Sequence, residues 1–300
     1  MSRIVTTENS ETRKPLAVVT VTYSPGEHLG RFLDSVAEGY SGETLTVLAD
    51  NGSTDGVPEA AARERPDVEF LPTGGNLGYG RGMNAGVRAL QGRRELLDGE
   101  FLLLSNPDVT FDPGSVDALI ACARRWPDAA AVGPRIALGD ATTYPSARAV
   151  PTMRNGIGHA LFADIWPANP WSAAYRDDAD METERSAGWL SGSCLLVRWE
   201  AFEAVGGFDE RYFMYMEDVD LGDRFVRAGY RNVYCPDAVI RHDQGHSTKT
   251  RGATMLPAHH ASAYRFQADR HPAWWQAPLR WVLRAGLAVR ARAMVAASRR

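Results

Sequence analysis

Glu217 and Asp218 are adjacent acids in Tyr212-Phe213-Met214-Tyr215-Met216-Glu217-Asp218-Val219-Asp220-Leu221, a segment otherwise dense in aromatic residues and methionine. A carboxylate crowded by apolar groups loses hydration, and its pKa rises toward the range of a general base. If a helix opens here, Asp218 shares a face with Leu221, Gly222 and Phe225, while Glu217, Asp220 and Arg224 point elsewhere. Asp220 with Arg224, and Asp223 with Arg227, form i,i+4 pairs with the acid on the favourable N-terminal side. Asp218 has no such partner. It is the candidate base, and Glu217 is expected to be a first-turn acid that supports it.

Three further polar residues follow strand-like runs directly. Asn106-Pro107-Asp108 lies just beyond Phe101–Leu104, where Asp108 suits a carboxylate ligand of Mg²⁺ or Mn²⁺ held mostly by a diphosphate. An Asx-type turn closed on its own backbone is the competing reading. Asp50 opens Asp50-Asn51-Gly52-Ser53-Thr54-Asp55-Gly56 and can meet a base or ribose, or serve only a capped, tight turn. Asn76 sits in a glycine-rich stretch, Gly74 to Gly86, which lacks both the P-loop pattern and the dinucleotide fingerprint. His242 follows another short strand and can join a carboxylate-bound divalent ion. Lys249 and Arg251, close behind it, can meet a diphosphate as point charge and fork, or form a solvated basic loop.

The elements that must hold these residues alternate. Leu16–Tyr23, Thr44–Ala49, Val68–Leu71 and Phe101–Leu104 read as strands, separated by helical spacings such as Leu29, Phe32, Leu33, Val36 and Met83, Val87, Leu90. That alternation predicts an α/β fold with a mostly parallel, doubly wound sheet and helices on both faces. Ligands of such sheets bind beyond the carboxyl ends of the strands, so Asp50, Asn76 and Asp108 are expected at one site. The pattern loosens after Trp126 and returns at Gly192–Arg198, the acidic helix 217–229, and strand-like Arg231–Cys235 and Ala238–Ile240. The expected organisation is a disordered leader over 1–14, one domain over 15–250 and a C-terminal helical extension over 251–300.

Composition narrows the partners. With 300 residues, 44% hydrophobic and 23% charged, the chain is an ordinary globular protein, and a net charge of −4 argues against nucleic acid. Cys122, Cys194 and Cys235 are too scattered for a disulfide framework or zinc cluster and are expected as small buried hydrophobes in a reducing compartment. A polar N-terminus and the lack of a long apolar run point to a cytoplasmic protein. From Trp274 to Arg300 there are six arginines and no acid. Leu279, Leu283, Leu287 and Met294 share a helical face there, so the helix is expected either on an anionic membrane surface or docked on the domain. Oligomeric state is not encoded in these patterns, and a homo-oligomer is compatible with them.

Taken in order, Val-Thr-Val-Thr-Tyr, Asp50 to Gly56, Asn76-Leu77-Gly78-Tyr79-Gly80, Asn106-Pro107-Asp108, Glu217-Asp218-Val219-Asp220-Leu221 and His242-x-x-Gly245-x-Ser247 resemble the inverting family 2 glycosyltransferases of the GT-A fold, over about residues 15–250. Within that family the resemblance is to the actinobacterial rhamnosyltransferases that act on polyprenyl-diphosphate-linked N-acetylglucosamine, in the linker of the cell-wall arabinogalactan. The resemblance implies a nucleotide site of Thr22, Tyr23, Asp50, Asn76, Gly78 and Arg81. It also implies Asp108 and His242 at a divalent metal and Asp218 as base; with that chemistry Lys249 and Arg251 are expected at the diphosphate, and Trp189, within Gly188-Trp189-Leu190-Ser191-Gly192, and Glu217 on the acceptor side. The expected donor is dTDP-L-rhamnose, the acceptor lipid-linked, and the location the inner face of the cell membrane. Asn106 stands where the family's Asp-x-Asp motif has its first acid, which lowers the ligand charge. A UDP-sugar donor for another polysaccharide and a non-catalytic carbohydrate binder are the rival readings. A nucleotidyltransferase would need a basic, glycine-rich loop after the first strand, where Ser24-Pro25-Gly26-Glu27-His28 stands instead.

Overall fold

The β-branched run after Lys14 favours extended backbone, and in the computed structural model Leu16–Thr22 is strand β1. The structure describes residues 14–139, 142–153, 166, 180–242 and 252–297. Its first half repeats strand and helix: α1 (Glu27–Gly39), β2 (Thr44–Asp50), α2 (Val57–Glu64), β3 (Val68–Pro72), α3 (Tyr79–Gln91) and β4 (Phe101–Ser105). The apolar spacings behave as helical stripes should. Leu29, Phe32, Leu33 and Val36 are buried on α1, and Met83, Val87 and Leu90 on α3.

Beyond β4 the chain forms β5 (Val109–Phe111), α4 (Ser115–Arg125), β6 (Ala129–Ala137), and short strands β7 (Thr143–Tyr144), β8 (Ala147–Arg148), β9 (Arg185–Ala187) and β10 (Trp189–Leu190). β11 (Cys194–Arg198), α5 (Trp199–Ala204), α6 (Glu217–Arg227) and β12 (Arg231–His242) complete the sheet. The strand order is β3-β2-β1-β4-β11-β6-β12-β5. β3, β2, β1 and β4 are parallel, as expected. β11 runs antiparallel to both β4 and β6, and β5 runs antiparallel to β12. The sheet is therefore mixed in its second half, where the sequence reading had only loosened. β6 escaped that reading because Ala129-Ala130-Ala131 carries little strand preference of its own; burial between β11 and β12 makes it a strand. The two runs read at 231–235 and 238–240 are one strand with a register shift between Cys235 and Val239.

Each sheet face has its own core. α1 and α4 cover one with Phe32, Leu119 and Ile120. α3, α5 and α6 cover the other with Met83, Phe202, Leu221 and Phe225. Burying each such side chain contributes about 1.5–3 kcal/mol before entropy is counted. All three cysteines are buried, but not scattered: Cys122 and Cys235 meet beside Glu184, their ligand atoms within 4.8 Å. The Glu184 carboxylate is already engaged by Arg125 and by Trp126 Nε1, which donates at 2.6 Å. The cluster is accordingly a satisfied polar contact under the sheet.

The chain ends in two helices, α7 (Gly252–Arg270) and α8 (Ala277–Ala297). α7 is bound tightly to the sheet domain. Phe266 packs with Tyr212 and Val219, Arg270 pairs with Asp223, Arg211 pairs with Asp269 at 2.6 Å, and Ser262 Oγ donates to the Met214 carbonyl at 2.9 Å. α8 packs back on α7, and Leu287 borders a hollow between the two helices with Ala261 and Tyr264. Leu283 and Leu287, on the face expected to meet either a membrane or the domain, are half-buried, and Leu287 lies on the α7 side. Met294 lies beyond the residues whose side chains are described.

Candidate active site

A cleft of about 520 Å³ opens at the carboxyl ends of β1, β2 and β4, where a parallel sheet presents loops and helix N-termini. Six segments converge on it: Tyr23–Pro25, Asn51, Asn76–Tyr79, Asn106–Asp108, Ser191–Ser193, and the start of α6 with Glu217 and Asp218. His242 closes one side from the end of β12, and Ala258 of α7 borders it.

The acids owe their position to an uncommon entry into α6. Tyr215 and Met216 both have φ of 68°, the left-handed region that non-glycine residues avoid. Met216 is the N-cap, so the chain turns sharply and the first helical residues, Glu217 and Asp218, both reach the cleft. This corrects the helical-wheel expectation, which aimed only Asp218 inward. Glu217 is the more deeply buried, at 7% exposure, against Gly80. Its Oε2 is buried without a hydrogen-bond partner. Burial first, and then the neighbouring Asp218 charge, push its pKa up to about 8.

Asp218 is half-buried and pinned by backbone. Gly192 N–H donates to Oδ2 at 3.0 Å and Val219 N–H donates to Oδ1 at 2.8 Å. Burial raises its pKa, and those two amides, with Arg148 further off, oppose the rise. Tyr79 Oη donates to the Gly192 carbonyl, bracing the same loop. Burial holds the Tyr79 phenol well above its ordinary pKa, and the charges of Glu217 and Asp218 push in the same direction, so it stays a donor. Close packing finishes the placement: a Cβ on Gly222 would lie 2.8 Å from Trp189 Cα, so α6 can press onto β10 only with glycine there.

Asp108 and His242 come together across 134 residues, Nε2 lying 3.1 Å from Oδ1, with both side chains under 20% exposed. Asn106 Nδ2 is 3.5 Å from the same nitrogen. Octahedral ligands at about 2.1 Å from a small divalent cation sit about 3.0 Å apart when adjacent, so this carboxylate and imidazole fit such an ion without rearrangement. The amide of Asn106 offers an oxygen but no charge.

The nucleotide-side residues divide. Tyr23, Asn76 and Gly78 line the cleft. Asp50 does not. Its carboxylate accepts from Thr22 Oγ1 (2.7 Å), Gly52 N (3.0 Å), Ser53 N (2.9 Å) and Ser53 Oγ, so it shapes the loop from beneath, and Thr22 is fully buried with it. The adjacent Asn51, not singled out from sequence, lines the cleft and donates from Nδ2 to the Gly78 carbonyl at 3.0 Å. Arg81 is turned away, its Nε donating to the Glu210 carbonyl at 2.6 Å. Trp189 is structural in the same sense: its Nε1 donates to the Ala149 carbonyl at 3.1 Å and its backbone abuts Gly222, outside the cleft lining. Lys249 and Arg251 lie outside the described residues. The bracing of Gly192 by Tyr79 and the left-handed backbone of Tyr215 and Met216 could not be read from sequence, because they rest on a contact across more than a hundred residues and on backbone conformation.

Solved structures share this architecture. GalNAc-T7 with UDP, GalNAc and Mn²⁺ superposes with a TM-score of 0.54 at 14% identity, over 77% of this chain and 44% of that one. The mannosyltransferase PcManGT of Pyrobaculum calidifontis, in complex with GDP-Man and Mn²⁺, gives 0.53 at 20% identity, over 95% and 79%. The fold is thus the GT-A-like α/β fold, and Asp218 and the Asp108–His242 pair line one cleft of it. The chain belongs to the glycosyltransferase-like family 2, whose model matches residues 14–256. Among its relatives, the N-acetylglucosaminyl-diphospho-decaprenol L-rhamnosyltransferase of Mycobacterium tuberculosis is 53% identical over 95% of this chain and 94% of its own length. Rhamnosyltransferase WbbL of Escherichia coli is 27% identical over 66% and 73%.

Proposed function

We propose that this glycosyltransferase moves L-rhamnose from dTDP-L-rhamnose to a polyprenyl-diphosphate-linked N-acetylglucosamine, with inversion at the anomeric carbon and with Asp218 as general base. The observation that carries the catalytic part is the single backbone-pinned carboxylate, Asp218, in the same cleft as the Asp108–His242 pair. Likeness to the mycobacterial rhamnosyltransferase along nearly the whole chain supports the sugar and the acceptor.

In this reading the acceptor hydroxyl lies against Asp218. Its oxygen forms the bond to the anomeric carbon as the bond to the donor diphosphate breaks, and its proton passes to the carboxylate. The Gly192 and Val219 amides fix the carboxylate so that no side-chain ordering remains for the reactive step. Glu217, neutral at pH 7 with its pKa near 8, adds no second negative charge beside the base. Asp108 and His242 would hold Mg²⁺ or Mn²⁺. Such an ion, when bound, supplies charge neutralisation on the departing diphosphate. Tyr23, Asn51, Asn76 and Gly78 form the nucleotide side, and the acceptor approaches past Glu217. One base and no protein nucleophile give inversion.

The test is transfer by the purified chain with a lipid-diphosphate-N-acetylglucosamine acceptor and a panel of donors, the anomeric configuration of the product being read by NMR. Rhamnose transfer from dTDP-L-rhamnose is expected. Transfer from a UDP-sugar alone would overturn the donor assignment and leave the family intact.

A further inference from the structure

α8 is apolar on a side that no described residue covers. Leu283 and Leu287 are half-buried, yet Trp281 is 73%, Val282 71% and Val289 65% exposed, and Trp274 and Trp275, just ahead of the helix, are 85% and 65% exposed. Pro278 and Ala285 are exposed as well, so positions 278, 281, 282, 285 and 289 trace one outward helical stripe. Soluble surfaces do not normally gather large apolar groups this way.

The turn that carries the first two tryptophans is held by its own hydrogen bonds. Arg280 Nη1 donates to the His271 carbonyl and, at 2.9 Å, to the Ala273 carbonyl, and Ala273 N–H donates to Gln276 Oε1 at 3.2 Å. These bonds fix where the turn presents its two tryptophans.

We propose that this face, with Trp274, Trp275, Trp281, Val282 and Val289 at its centre, seats the protein on the surface of an anionic phospholipid bilayer. Charge selects that occupant. From Trp274 to the end of the chain there are six arginines and no acid, a complement to lipid phosphates. Tryptophan is the side chain that best suits a headgroup boundary. No helix among the described residues is long and apolar enough to cross a membrane, so the contact is interfacial. The placement also serves the cleft: α8 packs on α7, and Ala258 of α7 borders the site, so one helix joins the lipid-facing surface to the acceptor opening. The inserted face is not that of Leu279, Leu283 and Leu287, the i,i+4 face expected to meet either a membrane or the domain.

Sedimentation of the full chain with vesicles tests this without any turnover, so its outcome is independent of the sugar assignment. Binding to phosphatidylcholine vesicles containing one-third phosphatidylglycerol should exceed binding to pure phosphatidylcholine by at least about tenfold and fall with salt. Bilayer-embedded brominated lipid should quench tryptophan emission. Trp274→Ser, Trp275→Ser and Trp281→Ser together should cut binding by about tenfold or more. Should that triple variant unfold early, Val282→Glu reads the same face alone. Three results would overturn the proposal: no binding by the wild type, unchanged binding by the folded variants, or a vesicle-free dimer that the variants turn into monomer. The last would make the face a contact between two copies.

Discussion

The backbone N–H of Gly192 donates to Oδ2 of Asp218 at 3.0 Å, joining a loop and a helix start that lie 26 residues apart. The loop is braced in turn by Tyr79 from α3, so three elements fix one carboxylate. Asp218→Asn keeps the size and one of the two acceptor oxygens, removes the basicity, and turns an NH2 group toward one of the two backbone amides. Transfer should fall by about 10²–10⁴, while thermal-shift titration with dTDP-rhamnose should still report binding. Near wild-type turnover would remove Asp218 from the role of base.

Glu217 makes the protein's stability depend on pH in an unusual direction. Its folded pKa of about 8 lies above the ordinary 4.5, so the folded state binds more protons than the unfolded state between those values. Stability therefore declines as pH rises from about 4.5 to about 8 and is flat beyond. Asp218, raised for the same reason, adds to the decline with the same sign. Glu217→Gln, neutral at every pH, should gain on the wild type across this window, by on the order of a few kcal/mol at its upper end. Urea melts of both proteins at pH 5 and pH 8 decide it. Parallel behaviour would mean that Glu217 ionises normally.

The raised pKa of Asp218 also sets the acid limb of catalysis. A base must be unprotonated to act, so kcat should fall on acidification at a pH above the usual aspartate range. A limb at or below the ordinary value of 3.8 would contradict the buried setting.

Asp108 and His242 are close enough to share one cation, and Asn106 contributes no charge to it. Mn²⁺ affinity, followed by electron paramagnetic resonance in the presence of dTDP, should drop at least about tenfold in Asp108→Ala and in His242→Ala. Asn106→Asp restores a second acid and should tighten binding, since affinity follows ligand charge. Equal Mn²⁺ affinity in all four proteins would place the ion elsewhere.

Gly78 allows the entry to α3 to pass under the 213–216 segment. Its φ is +83°, and a Cβ there would lie 2.0 Å from the Phe213 carbonyl oxygen, a group that already accepts from Tyr79 N–H at 3.2 Å. Gly78→Ala should cost about 2–4 kcal/mol, through backbone strain and displacement of the strained turn before α6. A thermal melt within a degree of the wild type would refute that packing.

Much of this protein was present in its residue order. The β-branched runs, the stripes on α1 and α3 and the polar residues after strands located the parallel half of the sheet and its ligand edge, because local preference and burial agree there. The ordered motifs located Asp108, His242 and Asp218. Other features needed the tertiary structure. The alanine-rich β6 becomes a strand only between its neighbours. Asp50 looked like a ligand but spends its lone pairs on its own loop, while Asn51 beside it faces the cleft. Glu217 enters the site because two consecutive left-handed residues turn the chain, a conformation no side chain there encodes. Helical periodicity could show that α8 has apolar faces; only its packing against α7 decided which is half-buried and which is left to the surroundings. Spacing specifies what a segment prefers, and long-range contacts decide which of its groups remain free to act.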